Sequence, residues 1–156
     1  MSMSKNEMRL KIELVPSTSW YDNLRKQISK TEWDKIRKQS YADANHKCAI
    51  CGAEGRLNCH EIWEYDDNTY DQSLKGFIAL CNDCHMIKHI GFAGIQASKG
   101  LLDMDKLIEH FMKVNSCDRE TFEKHKDDAF AQWRERSTHD WQVNLGSYKD
   151  VIKRRH

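Results

Sequence analysis

Four cysteines and three histidines form the pattern in this chain with the clearest capacity for chemistry. Cys48-Ala-Ile-Cys51 and Cys81-Asn-Asp-Cys84 are two Cys-x-x-Cys turns, separated by 29 residues. Each turn presents two thiolates from a tight loop, and two such turns supply the four soft ligands of a tetrahedral zinc ion. A redox dithiol would be expected singly, so the doubled pair predicts a structural zinc that joins the two ends of the segment between the turns. His60 lies in that segment, His85 directly follows Cys84, and His89 comes four residues later. At that spacing His85 and His89 share one helical face, and with His60 they could surround a second cation. The plainer alternative is that all three are core or surface histidines. Glu61 adjoins His60, but strand alternation sends it to the opposite face unless a bulge intervenes. Cys117 stands outside this scheme and reads as a free thiol.

These residues need elements to position them, and the sequence predicts an α+β fold. Leu10–Val15 alternates weakly and reads as a short strand ended by Pro16. Trp20–Ile28 reads as a short helix. Ser29-Lys-Thr-Glu32 has the form of a capping box, opening a helix with Trp33, Ile36, Ser40 and Tyr41 on one side. The first cysteine turn follows, and Gly52 permits its tight exit. Residues 56–65 read as the first strand of a hairpin, Asp66–Thr69 as its turn, and Phe77–Leu80 as the returning strand. A helix over roughly His85–Ile90 is expected until Gly91 and Gly94 loosen it. Asp103–Val114 and a longer helix capped by Asp118 and reaching about Arg136 complete the helical part. The aromatics from Trp141 to Tyr148 are expected to pack back on these helices. The organisation is one domain over 1–156: an N-terminal strand and helix arm over 1–43, a zinc-bound module over 44–92, and a helical extension over 93–156.

Charge and hydropathy narrow the function classes. The 156 residues carry a net charge of +1, which is not the footprint of a strongly basic nucleic-acid binder. The basic excess lies before the cysteine module, with ten Lys/Arg against six Asp/Glu in residues 1–50. Residues 51–102 reverse it, with four against seven. No apolar run is long enough for a membrane span, and no export signal is visible, so the expectation is an intracellular protein with reduced thiols. The balanced charge of the C-terminal helices leaves them open as a docking surface for a protein partner. Oligomeric state is not legible.

The runs Cys48-Ala-Ile-Cys51, Leu57-Asn-Cys-His-Glu-Ile-Trp63 and Ala79-Leu-Cys-Asn-Asp-Cys-His-Met-Ile-Lys-His89 together resemble the HNH-type endonucleases. The resemblance covers roughly residues 44–92, about a third of the chain. It implies a ββα-metal module, also called the HNH or His-Me finger, and hydrolysis of DNA phosphodiester bonds. It implies that His60 is the general base, and that His85 and His89 hold one divalent ion, whether Mn2+, Ni2+, Mg2+ or Zn2+. The four-cysteine zinc is then separate and structural. Lys88 is placed to contact phosphate, and a phage or mobile-element origin would fit. The family has Asp or His as a further ligand just before the base, where this chain has Cys59. It also has Asn about five residues before the third zinc cysteine, where this chain has Gly76. In a register shifted by one residue, His60 joins His85 and His89 as a ligand and Glu61 becomes the base; both registers stand at this point. The alternative function is a non-catalytic zinc module that binds nucleic acid or protein.

Overall fold

The computed structural model describes residues 8–19 and 28–150. The fold is α+β, with five α-helices and one three-stranded sheet among the described residues. Ser29 accepts a hydrogen bond from the Glu32 N–H at 3.2 Å and so opens helix α1, Lys30–Asp43. The Trp33 and Ser40 side of α1 is buried. After the first cysteine turn, strand β1 (Asn58–Asp66) pairs antiparallel with β2 (Asp71–Leu80), from Asn58 opposite Leu80 to Asp66 opposite Asp71. Asp66 sets the turn between them, its Oδ1 accepting from the Asn68 and Thr69 N–H groups at 2.9 and 3.1 Å. A bulge interrupts the ladder between Ile62 and Trp63.

Helix α2, Asn82–Lys88, follows β2 at once. Its N-cap is Cys81, whose sulfur accepts from the Cys84 N–H at 3.4 Å, so a candidate zinc ligand also caps the helix. Helix α3 spans Ile90–Ser98, α4 Met104–Asn115 and α5 Arg119–Arg136. Asp103 and Asp118 cap α4 and α5 through N–H groups of their first turns. A short strand β3, Gln142–Asn144, then lies parallel to the start of β2, giving the order β1-β2-β3.

The main core joins the N-terminal residues 10–12, the cysteine module and the C-terminal helices. Leu10 and Ile12 pack with Cys48, Leu80, Cys84 and Ile87 of the cysteine module and with Leu107, Ile108, Phe111 and Phe122 of α4 and α5. A smaller cluster of Ile28, Trp33 and Leu74 seals α1 onto the sheet.

Several expectations need correction. Residues 10–15 are not a strand; they form a strap without regular structure, several of whose backbone groups are satisfied by side chains. The buried Asn115 accepts from the Arg9 and Leu10 N–H groups at 2.9 Å each and donates to the Leu10 carbonyl at 2.8 Å. His125 accepts from the Ile12 N–H at 2.9 Å, and the Trp133 indole donates to the Val15 carbonyl at 2.9 Å. Residues 20–27 of the expected Trp20–Ile28 helix lie outside the described residues. The returning strand starts at Asp71 rather than Phe77, because pairing with β1 carries Asp71 and Gly76 into the ladder despite their weak strand preference. The helix after the second turn breaks at His89 (φ −106°, ψ 48°), and Gly91 and Gly94 lie inside α3 instead of ending a helix. Trp141 packs edge-on against Tyr65 and Tyr70 of the hairpin, with ring centroids 5.4 and 5.6 Å away, so the C-terminal aromatics close on the sheet as well as on α5.

Candidate metal centres

The two cysteine turns meet. The sulfurs of Cys48, Cys51, Cys81 and Cys84 all lie within 4.8 Å of one another. The Cys51 and Cys81 sulfurs are 3.6 Å apart, close to the ~3.8 Å edge of a tetrahedron with zinc–sulfur bonds of about 2.3 Å. The turn geometry explains the convergence: each second cysteine N–H points back at the first sulfur, Cys51 to Cys48 at 3.5 Å and Cys84 to Cys81 at 3.4 Å. The thiols are electrostatically unequal. A hydrogen bond from Cys84 holds the Cys48 thiol down to about 3. Cys84 is pushed up by donating that proton, and burial pushes Cys81 up to about 11. Four sulfurs within 4.8 Å of one another are a fitting donor set for one dication, which would take up the charge of all four thiolates. The four-cysteine cluster is compatible with structural zinc.

A second cluster lies next to the first. His60 on β1, His85 on α2 and His89 at the α2–α3 break bring one ring nitrogen each within 4.8 Å of one another. The ring centroids are 5.4 Å (His60 to His85), 4.9 Å (His60 to His89) and 4.7 Å (His85 to His89) apart, with the rings nearly perpendicular. The break at His89 matters here, since it ends α2 at the residue whose ring closes the triangle. All three imidazoles are held neutral. Burial, then His89, His85 and Lys88, lower His60 to about 3. Burial and then His89 lower His85 to about 4, and burial followed by Lys88 lowers His89 against the opposing pull of Glu13. The buried His60 Nδ1 has no hydrogen-bond partner. One buried and two half-buried neutral imidazoles, the first with an orphaned nitrogen, fit the donor set of a transition-metal ion such as zinc or nickel better than that of magnesium.

The triad opens into a cleft of about 1010 Å³ that runs between β1 and α1. Lys30, Arg37 and Arg56 contribute to its walls, as do Tyr41, Trp63 and Phe92. Glu61 also lines it, with its Oε2 3.7 Å from His60 Nδ1 in spite of strand alternation, and burial raises its carboxyl above the ordinary value. Cys59 is not brought into the triad. The Ser40 hydroxyl of α1 donates to its sulfur at 3.5 Å, and burial pushes its thiol up to about 11, so it behaves as a core thiol rather than a ready ligand. Lys88 also departs from expectation. Its side chain is 7% exposed, and its ammonium donates to the Lys11 carbonyl at 3.3 Å and to Glu13 Oε1 at 2.9 Å, so it is not presented to a phosphate. Cys117 is a half-buried free thiol. Asp67 is held in a paired contact with Arg136, at 2.9 and 3.0 Å.

Two residues near these centres escaped the sequence reading. His110 of α4 has its Nε2 3.2 Å from the Cys84 sulfur and so connects the C-terminal helices to the cysteine cluster. Its spacing of three from the buried Leu107 was the available signal. Glu13, one acidic residue in a weakly alternating run, carried none. No helix among the described residues is long and apolar enough to cross a membrane. No family model, no curated protein and no solved structure matches this chain.

Proposed function

We propose that this chain is a metal-dependent endonuclease of the HNH type, with a ββα-metal module built from β1, β2 and α2, that hydrolyses DNA phosphodiester bonds. The observation that carries the reading is the convergence of His60, His85 and His89 at a large cleft beside a separate four-cysteine cluster. A divalent cation held by the three imidazoles would supply Lewis-acid charge to the scissile phosphate and the leaving oxygen. The chain's own groups then divide the work. The three neutral imidazoles offer lone pairs, and the cysteine cluster fixes the start of α2, from which His85 and His89 project.

Of the two registers, the geometry supports the one in which His60 is a ligand and Glu61 the base. An imidazole lowered to about 3 is a weak proton acceptor near neutrality. The carboxyl of Glu61 is raised by burial, which makes it a better proton acceptor than an ordinary carboxylate, and it borders the same cleft. In this register Glu61 takes the proton from the attacking water, and Lys30 and Arg56 are the cleft cations that would meet the phosphate backbone, since Arg37 is paired with Asp34 at 3.0 Å. A second reading, a non-catalytic zinc module that binds nucleic acid or protein, is favoured by the paired Lys88, the core-like Cys59 and the exposed Phe92 and Ile95 of α3.

The test is cleavage of supercoiled plasmid with manganese, nickel, magnesium or EDTA, with His89→Ala run in parallel to expose contaminating nuclease. The expected result is nicking with manganese or nickel, weaker with magnesium, and none with EDTA or in the variant. Equal degradation by wild type and variant, or DNA retention without cleavage under every metal, would end the enzyme reading.

A further inference from the structure

Lys88 presents a difficulty for any cation at the three histidines. It precedes His89 on α2, its side chain is 7% exposed, and its ammonium is held by the Lys11 carbonyl and Glu13. A buried positive charge beside a cation site repels the incoming ion, and the protein interior screens that repulsion far less than water does. Glu13 is the group that answers it. Its Oε1 is 2.9 Å from the Lys88 ammonium, its side chain is 44% exposed, and it lines the same cleft as His60, His85 and His89. Glu13 comes from outside the hairpin and helix that carry the histidines. It belongs to the strap that Asn115, His125 and Trp133 pin in place by backbone hydrogen bonds.

We propose that Glu13 is a positioning residue of the three-histidine cation site, which it makes competent for a dication by neutralising Lys88. The inference rests on the cation-site reading above, and not on DNA cleavage. It makes docking of the strap and occupancy of the site mutually reinforcing, since each lowers the free energy of the other by the same amount. A strap displaced from the molecule would leave the ammonium bare and the site poor in cation.

The test is calorimetric titration of nickel, without nucleic acid, into full-length protein whose cysteine site is already loaded with zinc. Four proteins are compared: wild type, Glu13→Gln, Lys88→Met and the double variant. Glu13→Gln should bind nickel about tenfold or more weakly, the scale of one close charge interaction in a protein environment. Lys88→Met should bind as tightly as wild type or more so. The double variant, which leaves no bare ammonium to unfold the site, should return to within about threefold of wild type, a recovery that a ligand role for Glu13 would not produce. Nickel affinity unchanged in Glu13→Gln, or a double variant as weak as Glu13→Gln, would overturn the proposal. Failure of wild type to take up nickel would end the cation-site reading together with it. Normal nickel binding without DNA cleavage would count against the nuclease reading alone.

Discussion

Acid should unfold this protein through its histidine cluster, and His60 allows the size of the effect to be worked out. In the unfolded chain His60 titrates near its ordinary value of 6.5, whereas in the fold it is lowered to about 3. As pH falls below the unfolded value, the unfolded state takes up the proton first, so stability is lost progressively between the two values and the loss levels off near the lower one. Between neutrality and about pH 5 this amounts to about 2 kcal/mol from His60, and the full window would cost more. His60 is 6% exposed, so solvent screening does little to reduce the figure. His85, lowered to about 4, adds a loss in the same direction. The assay is urea unfolding of zinc-loaded protein, free of any second cation, at a series of pH values, with His60→Gln in parallel. Protonation of the zinc thiolates is common to both proteins and cancels in the difference. The wild type should lose about one proton's worth of slope more than the variant, or about 2 kcal/mol by pH 5. Parallel curves would refute the claim that the fold holds His60 neutral by burial.

The strap and the link between the cysteine cluster and the C-terminal helices make two further predictions. Asn115→Leu strands the Arg9 and Leu10 N–H groups and the Leu10 carbonyl, and at about 1 kcal/mol or more for each orphaned group it should cost about 3 kcal/mol, read from denaturant midpoints. His110→Ala removes the ring that meets the Cys84 sulfur at 3.2 Å, and should speed zinc release to a competing chelator by about tenfold with little change in helix content.

The parts of the fold that could be read from sequence are those in which local signals agree. Asp103 and Asp118 mark the starts of α4 and α5, and the apolar set Leu107, Ile108 and Phe111 marks the buried face of α4. The two cysteine turns are legible because thiolate pairs at that spacing have few other uses. What could not be read depends on partners distant in the chain. Residues 10–15 alternate like a strand, but the groups that satisfy them belong to Asn115, His125 and Trp133, more than a hundred positions away. The parallel pairing of β3 with β2 and the break at His89 depend on tertiary packing rather than on propensity. Glu13 shows the same limit within the candidate site, where its importance comes from a buried lysine 75 residues away that it meets only in the folded chain.

The proposed function requires that one small module carry two chemically distinct metal sites, one of four sulfurs and one of three imidazoles. Native mass spectrometry of zinc-loaded protein dialysed against nickel counts them directly. The expected masses are one chain with one zinc and one nickel for wild type and one zinc alone for His89→Ala, with loss of the zinc and much of the fold for Cys84→Ser. Wild type and His89→Ala carrying the same metals, or folded reduced protein carrying no zinc, would contradict the two-site reading.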